Sequence, residues 1–539
     1  MRQLLETAGV DWTVMGRRDH PDPVVTAVTA DSRRAGPAAL FVALPGTRVD
    51  GHDYVTDALA RGCRAVLTSR GRAAETARMA AGQDFLHLAS EDPREAFGRL
   101  CAALQGQPAA EMVMIGITGT NGKTTSTYLL EELIRRSGGE PGVIGTVNYR
   151  YRERSLPASH TTPEAETLQR LLREMAGAGV THVIMEVSSH ALEQRRVAGI
   201  LFDVALFTNL SHEHLDYHGD MERYYAGKKR LFYEHLKPGG AAVIVAAAED
   251  EGGPAAGTWA RRLAAELLPL SRPAGSPKSR RRAESLRLIR CGFTDGELRV
   301  AARRSSLAGV EARLQGPGGA WTLQSSLVGG FNLDNLLGVA GVGLALGLSP
   351  EQIRTGLAAA APPPGRLERF TSSRGLDVFV DYAHTPDALA HVLQALRPLT
   401  PGRLIVLFGC GGDRDRAKRP LMGAIAARGA DIVVVTSDNP RSEEPAAIMA
   451  AIERGLLEGG ARRGRLESLL RSPAGLRGYD LVESRRRAIR DTIFFARPGD
   501  VVLVCGKGHE TTQVVAGVSR FFDDRLEVRE QLAILGQAR

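Results

Sequence analysis

Residues 112–134, MVMIGITGTNGKTTSTYLLEELI, contain the pattern that decides the fold of this chain. An apolar run is followed by a glycine-rich loop and then by a segment with helical spacing. Backbone N–H groups of such a loop, with the N-terminus of the next helix, surround phosphate oxygens. In this interpretation Lys123 supplies a positive charge and the Thr124 hydroxyl ligates magnesium. The residues predicted to contact ATP here are Gly119, Thr120, Asn121, Gly122, Lys123, Thr124 and Thr125.

The match to the standard phosphate-loop spacing is incomplete. Ile117 stands where the pattern GxxxxGK[ST] has its first glycine. The alternative interpretation is a glycine-rich turn that only joins a strand to a helix. The sequence GKTT between a predicted strand and a predicted helix favours nucleotide binding, so we predict an ATP site.

Similar apolar runs bounded by polar or glycine residues follow this loop along the chain. THVIMEV, DVALFTN and AAVIV lie in the middle, and DVFVDYA, RLIVLFG, DIVVVTS and DVVLVCG lie toward the C-terminus. Most are followed by a plausible helix, which is typical of parallel strands buried on both faces. We therefore predict an α/β protein with mainly parallel sheets.

Two composition shifts divide the sequence into three predicted domains, residues 1–110, 111–360 and 361–539. The polar segment GQPAAE marks the first boundary, and the run APPPG marks the second because three prolines cannot continue a helix. The last domain is predicted to be doubly wound and Rossmann-like. The stretch 249–290 is rich in Ala, Arg, Gly, Pro and Ser, and is predicted to be a solvated excursion with one helix, Trp259 to Leu268.

Composition limits the class of protein. The chain has 539 residues, 43% hydrophobic and 24% charged, which is typical of a soluble globular protein with several cores. The net charge of +8 is as well explained by anionic small-molecule substrates as by nucleic acid, so no nucleic-acid partner is predicted. Five scattered cysteines indicate a reducing compartment. No signal-like or membrane-spanning apolar segment is found, and we predict a cytoplasmic protein without membrane insertion.

Polar side chains follow two further strands of the predicted central sheet. MEVSSHAL places Glu186 at the carboxyl edge of the sheet, where a carboxylate holds magnesium directly or through water. FTNLSHEHLDYHG crowds three histidines into seven residues, whose spacing matches no standard zinc signature, so a zinc site and a polar turn remain alternatives. YYAGKKRLF then places Lys228 and Lys229 on a predicted helix, where a solvated basic pair is the ordinary interpretation.

The motifs TGTNGKTT, EVSSHAL and NLSHEHLDYHG, with a lysine shortly after them, resemble in this order the Mur ligase family of ATP-dependent amino acid ligases. The resemblance implies that Lys228, identified by its Lys-x-x-Leu-Phe setting, is carbamylated and helps His214 to hold a second magnesium ion. Lys229 beside it remains the alternative. The catalytic residues so implied are Lys123, Glu186, His214 and Lys228, and the metal ligands are Thr124, Glu186, His214 and the carbamate of Lys228.

The resemblance extends to the nucleotide and muramoyl sites. GGFNLDN and PGRLERF look like the hinge-flanking segments of the family, and DYAHTP follows the first strand of the third domain. The ATP-site residues implied by these segments are Asn332, Asn335, Arg366, Asp381 and His384. The first domain resembles the family's uridine-nucleotide-binding domain. The resemblance implies that Ser32 and residues 46–52 are the candidates for contacts with the uracil, ribose or diphosphate. Residues implied around the muramoyl dipeptide are Thr161, Thr162, Ser188, Gln194 and Arg196.

The tetrapeptide DNPR, residues 438–441, follows the predicted strand DIVVVTS. An amino acid with a distal carboxylate and a distal ammonium requires a bidentate cation and an acceptor, which Arg441 and either Asp438 or Asn439 supply. DNPR resembles the signature of the family members that add meso-diaminopimelate. The full set implied for this amino acid is Arg414, Asp438, Asn439, Pro440, Arg441, Gly506 and Glu510.

The resemblance implies a complete reaction. ATP phosphorylates the γ-carboxylate of the D-glutamyl residue in UDP-N-acetylmuramoyl-L-alanyl-D-glutamate, and the amine of meso-diaminopimelate attacks the acyl phosphate. Two magnesium ions and a monomeric enzyme are expected. A lysine-adding ligase and a folylpolyglutamate synthetase remain enzymatic alternatives, and a nucleic-acid-stimulated ATPase is a rival favoured only by the basic charge.

Overall fold

The structure is a computed structural model that describes residues 1–15, 22–46, 49–246, 257–271, 285–473 and 475–537. Residues 47 and 48 of the nucleotide candidate stretch, and much of the stretch 249–290, lie outside the described residues. The chain forms two compact units. One comprises Met1–Arg299, Gln315–Gly319 and Asp334–Gly356, and the other comprises Val300–Leu314, Ala320–Leu333 and Leu357–Arg539.

The first unit begins with a small α/β sheet. Its strands are β1 (Thr13–Met15), β2 (Ala27–Thr29), β3 (Ala39–Val42), β4 (Ala65–Ser69) and β5 (Leu86–Ser90), in the order β1-β5-β4-β3-β2. Its helices are α1 (Arg2–Ala8), α2 (Val55–Ala60), α3 (Ala73–Met79) and α4 (Pro93–Leu104), with 3-10 turns at Ser32–Arg34, Gly51–Tyr54, Arg70–Arg72 and Pro108–Glu111. Four of the strands are parallel and β1 is antiparallel to β5. Strand β3, ALFV, is wholly buried, as a parallel strand covered on both faces requires.

The second sheet of this unit is larger and holds the phosphate loop. Its strands are β6 (Val113–Thr118), β7 (Pro141–Ile144), β8 (Asn148–Tyr151), β9 (Arg154–Pro157), β10 (His182–Glu186), β11 (Phe202–Phe207), β12 (Leu236–Val245) and β13 (Arg287–Cys291). Its helices are α5 (Lys123–Arg136), α6 (Ala165–Gly177), α7 (Ser189–Glu193), α8 (Leu215–His218), α9 (Met221–Tyr233) and α10 (Thr258–Ser271). The strand order is β13-β12-β11-β6-β10-β7-β8-β9, and only β8 and β9 are antiparallel additions.

This strand order places the loops that follow β11, β6, β10 and β7 side by side at one edge of the sheet. In parallel sheets such an edge is where ligands bind. The chain then continues through the three-stranded sheet β14 (Arg299–Ser306), β15 (Gly309–Gly316) and β16 (Gly319–Ser325), and through helices α11 (Gly330–Ala345) and α12 (Pro350–Ala359).

Besides most of the three-stranded sheet, the second unit contains a seven-stranded sheet and a separate hairpin. The sheet strands are β17 (Glu368–Thr371), β18 (Asp377–Asp381), β19 (Leu404–Phe408), β20 (Ile432–Val435), β21 (Arg462–Arg463), β22 (Gly478–Leu481) and β23 (Val501–Cys505), and the hairpin strands are β24 (Thr512–Val515) and β25 (Val518–Phe521). The helices are α13 (Pro386–Leu396), α14 (Lys418–Gly429), α15 (Pro445–Glu458), α16 (Leu466–Arg471), α17 (Arg485–Phe495) and α18 (Asp524–Gln537), with a 3-10 turn at Arg397–Leu399. The sheet order is β17-β18-β23-β19-β20-β22-β21, so β18, β23, β19 and β20 end next to one another.

The predicted α/β class with mainly parallel sheets is confirmed by this topology. The predicted helix at Trp259 to Leu268 is also confirmed and runs from Thr258 to Ser271. All five cysteines are buried and unpaired. Across the described ranges, no helix is long and apolar enough to cross a membrane.

A buried ion pair fixes the end of β23, which leads into a predicted site loop. The Arg485 and Asp524 side chains are fully buried, and the guanidinium donates two hydrogen bonds of 2.7 and 2.6 Å to the carboxylate. Arg485 Nη2 also donates to the Cys505 carbonyl oxygen at 2.8 Å. Helices α17 and α18 therefore hold the last residue of β23 through one cation.

Replacing Asp524 by alanine is expected to lower the free energy of unfolding by about 3–5 kcal/mol, because Arg485 is left charged and unpaired in the interior. The matched control is Arg490→Ala, which removes a 57% exposed guanidinium beside Asp491 and should cost less than about 1 kcal/mol. Urea unfolding of the two variants measures the difference. Equal losses of unfolding free energy in the two variants would show that the buried ion pair contributes no more to stability than the exposed one.

Candidate active site

The phosphate loop after β6 is braced by the segment after β11. Asn121 N donates to Asn209 Oδ1 at 2.9 Å, and Thr208 Oγ1 donates to the Asn121 carbonyl oxygen at 2.6 Å. Gly122 has φ 87°, and a Cβ there would lie 2.1 Å from Oδ1 of Asn335. Only glycine fits this position, and it brings the predicted residue Asn335 of α11 against the loop.

Lys123 begins α5 and folds back over the loop. Its Nζ donates to the carbonyl oxygens of Gly119 and Thr120 at 2.9 and 2.8 Å. The ammonium therefore lies among the loop residues at the N-terminus of a 14-residue helix. A cation and a helix N-terminus at one place favour an anionic phosphate group.

The Glu186 carboxylate lies beside this loop and is 1% exposed. Its Oε1 accepts hydrogen bonds from Thr124 Oγ1 and from the Thr146 backbone N–H, both at 3.0 Å. Its Oε2 accepts from Thr146 Oγ1 at 2.9 Å. Hydroxyl and carboxylate oxygens are the ligands that magnesium prefers, so Thr124 and Glu186 fit this ion. Thr146 was not predicted from the sequence; the signal was its place in the loop after β7, the strand next to β10.

Lys228 reaches the same loop from α9. Its side chain is 2% exposed, and its Nζ donates to the Gly119 carbonyl oxygen at 2.8 Å and lies 4.5 Å from the centre of the Tyr224 ring. No carboxylate of the described residues forms an ion pair with this amine within 4.0 Å. Burial lowers the pKa of Lys228 well below its ordinary value, and the positive charge of Lys123 lowers it further.

Lys229 points elsewhere. Its Nζ lies 2.9 Å from Glu266 Oε2 of α10, and its side chain is 33% exposed. Of the two adjacent lysines, the structure brings only Lys228 to the phosphate loop.

The histidines of the loop after β11 lie in different surroundings. His214 has φ 56°, its side chain is 45% exposed, and its ring centre lies 5.0 Å from that of His190. His218 is buried, and its Nε2 lies 2.9 Å from Ser189 Oγ. Burial, with the neighbouring histidines, lowers the pKa of His190 to about 4, and burial also lowers the pKa of His214. Nowhere in the described part of the chain do three or more His, Cys, Asp or Glu side chains converge as a metal cluster.

Five residues assigned to the muramoyl dipeptide lie together next to Glu186. Thr162 Oγ1 donates to the Glu186 carbonyl oxygen at 2.8 Å and accepts from Ser188 N at 3.1 Å. Arg196 Nη1 donates to the Thr162 carbonyl oxygen at 3.0 Å. The contacts that complete the group join Arg196 Nη2 to Gln194 Oε1 at 2.7 Å and Thr161 Oγ1 to Thr146 Oγ1 at 3.1 Å.

Ser32 lies beside the first sheet, in the segment that follows β2. It is buried at the start of a 3-10 turn after β2, and the Asp31 side chain caps this turn by accepting from Arg33 N. Arg34 of the same turn pairs with Glu166 of α6. The predicted uridine segment is therefore tied to the helix that follows the muramoyl-site threonines.

In the second unit, the DNPR loop after β20 packs on the loop after β23. Asp438 is 7% exposed. Gly506 has φ 114°, and a Cβ there would lie 2.4 Å from Asp438 Oδ2, so only glycine allows this approach. Arg441 has φ 54°, and its Nη1 donates to the Gly412 carbonyl oxygen at 2.7 Å. Arg414, in the same loop after β19, has an exposed side chain.

Asn439 uses its amide within the protein. Its Nδ2 donates to Glu510 Oε2 at 2.8 Å, and its Oδ1 accepts from Val514 N at 3.0 Å and from Lys507 Nζ at 3.2 Å. Of the two predicted acceptors, Asn439 is therefore occupied and Asp438 is the better candidate for a substrate ammonium. Lys507 and the hairpin residue Gln513 were missed by the sequence analysis; the signal for Lys507 was its place inside CGKGHE.

Three of the ATP-site residues predicted in this unit, Arg366, Asp381 and His384, lie next to Tyr382. The Arg366 guanidinium lies 4.6 Å from the Tyr382 ring centre, and the His384 ring centre also lies 4.6 Å from it. Asp381 is 7% exposed and accepts from Leu367 N and Ala383 N, both at 2.7 Å. Burial raises the pKa of this carboxyl and lowers that of His384. Asn332, at the start of α11, donates to the Val328 carbonyl oxygen at 2.8 Å.

Comparison with protein-family models gives three matches. The model described as Mur ligase family, catalytic domain, matches residues 24–104, the Mur ligase middle domain matches residues 117–343, and the Mur ligase, glutamate ligase domain, matches residues 365–508.

Individual proteins are similar over nearly the full chain. The UDP-N-acetylmuramoyl-L-alanyl-D-glutamate--2,6-diaminopimelate ligase of Geobacter metallireducens is 43% identical over 94% of this chain and 93% of its own. The ligase of the same name from Geobacter sulfurreducens is 41% identical over 93% of each chain. A solved structure of a protein with that name superposes with a TM-score of 0.65 at 31% identity, covering 95% of each chain.

Proposed function

The chain belongs to the Mur ligase family of ATP-dependent amide-bond-forming enzymes, and on this premise we propose that it adds meso-diaminopimelate to UDP-N-acetylmuramoyl-L-alanyl-D-glutamate. The product is a precursor of peptidoglycan. The observation that carries the proposal is the presence in one chain of a phosphate loop after β6 and of a DNPR loop whose Arg441 lies beside Gly412. The phosphate loop is suited to ATP, and the DNPR loop is suited to an amino acid with a distal carboxylate.

The chemistry begins at the phosphate loop. The γ-carboxylate of the D-glutamyl residue attacks the terminal phosphorus of ATP, ADP leaves, and an acyl phosphate forms. Lys123 and the loop N–H groups offset the negative charge that builds on the transferred phosphoryl group. Arg196, Thr162 and Ser188, which are joined by hydrogen bonds, suit the carboxylate-bearing dipeptide and would hold it beside the loop.

The second half of the reaction uses the second unit. The amine of the amino acid attacks the acyl carbon, the amide bond forms, and phosphate leaves. Arg441 and Asp438 would hold the distal carboxylate and the distal ammonium, so that only the reacting amine is presented. Arg366, Asp381 and His384 are proposed to contact the nucleotide.

Three of the four residues proposed to hold magnesium supply oxygen ligands, and His214 supplies an imidazole nitrogen. Thr124 Oγ1 and the Glu186 carboxylate would hold one ion, and His214 with a carbamate on Lys228 would hold a second. Bound magnesium neutralises phosphate charge and aligns the oxygens of the transferred group. The buried amine of Lys228 supports its carbamylation, because a lysine of this burial without a paired carboxylate is costly as an ammonium.

The setting follows from the substrates. ATP and a UDP-linked precursor are cytoplasmic compounds, so we propose that the enzyme acts in the cytoplasm. We also propose that it acts as a monomer and without a nucleic-acid partner.

The test is release of phosphate in the presence of ATP, magnesium and the UDP-muramoyl dipeptide, with meso-diaminopimelate or L-lysine as acceptor. The expected kcat/KM is at least about 100-fold higher for meso-diaminopimelate, since the lysine side chain leaves Arg441 without its carboxylate. Equal use of L-lysine would replace the proposal by a lysine-adding ligase. ATP hydrolysis that responds to polynucleotide and not to the dipeptide would refute ligation.

A further inference from the structure

Lys507 carries a buried charge that the reaction described above does not use. Its side chain is 0% exposed although it lies in a loop at the edge of the sheet. Its Nζ donates to Asn439 Oδ1 and Glu510 Oε2, both at 3.2 Å, and to the Thr512 carbonyl oxygen at 2.6 Å. An ammonium has three N–H donors, and these three acceptors use all of them.

Two of the three hydrogen-bond partners of Lys507, Asn439 and Glu510, are residues of the proposed amino acid site. Glu510 Oε2 accepts from both Lys507 and Asn439, whereas Glu510 Oε1 has no hydrogen-bond donor among the residues that the structure describes. The Glu510 side chain is 34% exposed. One carboxylate oxygen is thus held by the protein, and the other is left as an acceptor for a ligand.

The hairpin β24–β25 holds the other side of the same loop. Val514 accepts from Arg441 N at 3.0 Å through its carbonyl oxygen and donates from its own N–H to Asn439 Oδ1 at 3.0 Å. Gln513 Nε2 donates to the Asp438 carbonyl oxygen at 2.8 Å. Residues 438, 439 and 441 are therefore each fixed by a hydrogen bond from or to the hairpin.

We propose that Lys507 and Gln513 are positioning residues that set the choice of amino acid. Lys507 turns the Asn439 amide so that its Nδ2 binds Glu510, and this directs Glu510 Oε1 toward the distal ammonium of the amino acid. Gln513 holds the Asp438 carbonyl group, three residues before Arg441. Arg441 has a left-handed φ of 54°, a conformation that is costly for a residue other than glycine and that the surrounding structure must stabilise. This inference rests on the proposed function, since it names how the same site selects its substrate.

The experiment compares Lys507→Met, Lys507→Arg and Gln513→Leu in the full-length protein. In Lys507→Met and in Gln513→Leu, the KM for meso-diaminopimelate should rise by about 10-fold or more, while the KM for ATP stays within about 2-fold, because only preorganisation of the amino acid site is lost. Lys507→Arg should recover part of the loss, since a guanidinium restores donors but not their geometry. Ser519→Ala is the matched control, on the exposed hairpin strand opposite Val514.

The outcomes separate this inference from the proposed function. A wild-type enzyme that does not use meso-diaminopimelate refutes the proposed function. If the wild type uses it, an unchanged KM for meso-diaminopimelate in the folded Lys507→Met or Gln513→Leu enzyme overturns the positioning role of the substituted residue and leaves the proposed function standing. The positioning role is also overturned if the KM values for ATP and for the amino acid rise together in both variants, because that pattern indicates general loss of structure. If Lys507→Met, which removes the buried ammonium, does not fold, Gln513→Leu still tests the proposal.

Discussion

Turnover of the Lys228→Ala enzyme is expected to be about 1000-fold lower than that of the wild type, because the proposed carbamate and the contact with Gly119 are lost together. Bicarbonate or short carboxylic acids such as formate should restore part of the rate, since they return a carboxylate to the space left by the side chain. Phosphate release at saturating substrates measures both effects. The mass of the intact wild-type protein, measured under conditions that preserve carbamates, gives an independent readout.

Lys229→Ala is the matched control for this prediction. Lys229 is 33% exposed and pairs with Glu266 at the surface, so its loss should change the rate by less than about 2-fold. A large loss of rate in Lys229→Ala, with an active Lys228→Ala enzyme, would mean that Lys229 and not Lys228 carries the carbamate. Absence of rescue in Lys228→Ala, with magnesium binding intact, would exclude the carbamate itself.

The second large effect is expected for Arg441→Ala. The kcat/KM for meso-diaminopimelate should fall by about 100-fold or more, because a charge-assisted bidentate contact to the distal carboxylate is removed. The residual rate with L-lysine should change far less, since lysine has no carboxylate at that position. The measurement is the ratio of the two kcat/KM values.

Arg416→Ala is the control for charge alone. Arg416 lies in the neighbouring loop, is 73% exposed and pairs with Glu443, so its removal should leave the ratio unchanged. If Arg441→Ala loses activity equally with both amino acids, the guanidinium does not select the distal carboxylate, and the choice of meso-diaminopimelate requires another explanation.

The parts of the fold and site that are local in sequence could be predicted. The apolar runs around β6, β10, β18 and β20 directly indicate buried parallel strands, and the family resemblance drawn from the motifs is confirmed by matches over most of the chain. The α/β class and ligase activity follow from these patterns. The domain boundaries and the individual site assignments stay predictions.

Contacts between distant segments could not be predicted. Thr146 meets Glu186 only because β7 and β10 are neighbours in the sheet, although the two residues are 40 positions apart. Lys228 and Lys229 are adjacent in the sequence, and the packing of α9 decides that the first reaches the phosphate loop. Asn439 has the composition of a ligand-binding residue, yet its amide is satisfied by Glu510, Val514 and Lys507, which no local pattern reveals.

The arrangement of strand ends in the second unit has a consequence for how such enzymes diversify. The proposed amino acid residues lie on the loops after β19, β20 and β23, whereas the buried strands beneath them form the core. Loop substitutions that leave the core unchanged are tolerated far better than changes in the strands. A lineage can therefore acquire a new cross-linking residue in its cell wall through a few loop mutations, while the inherited apparatus for phosphate activation is passed on intact.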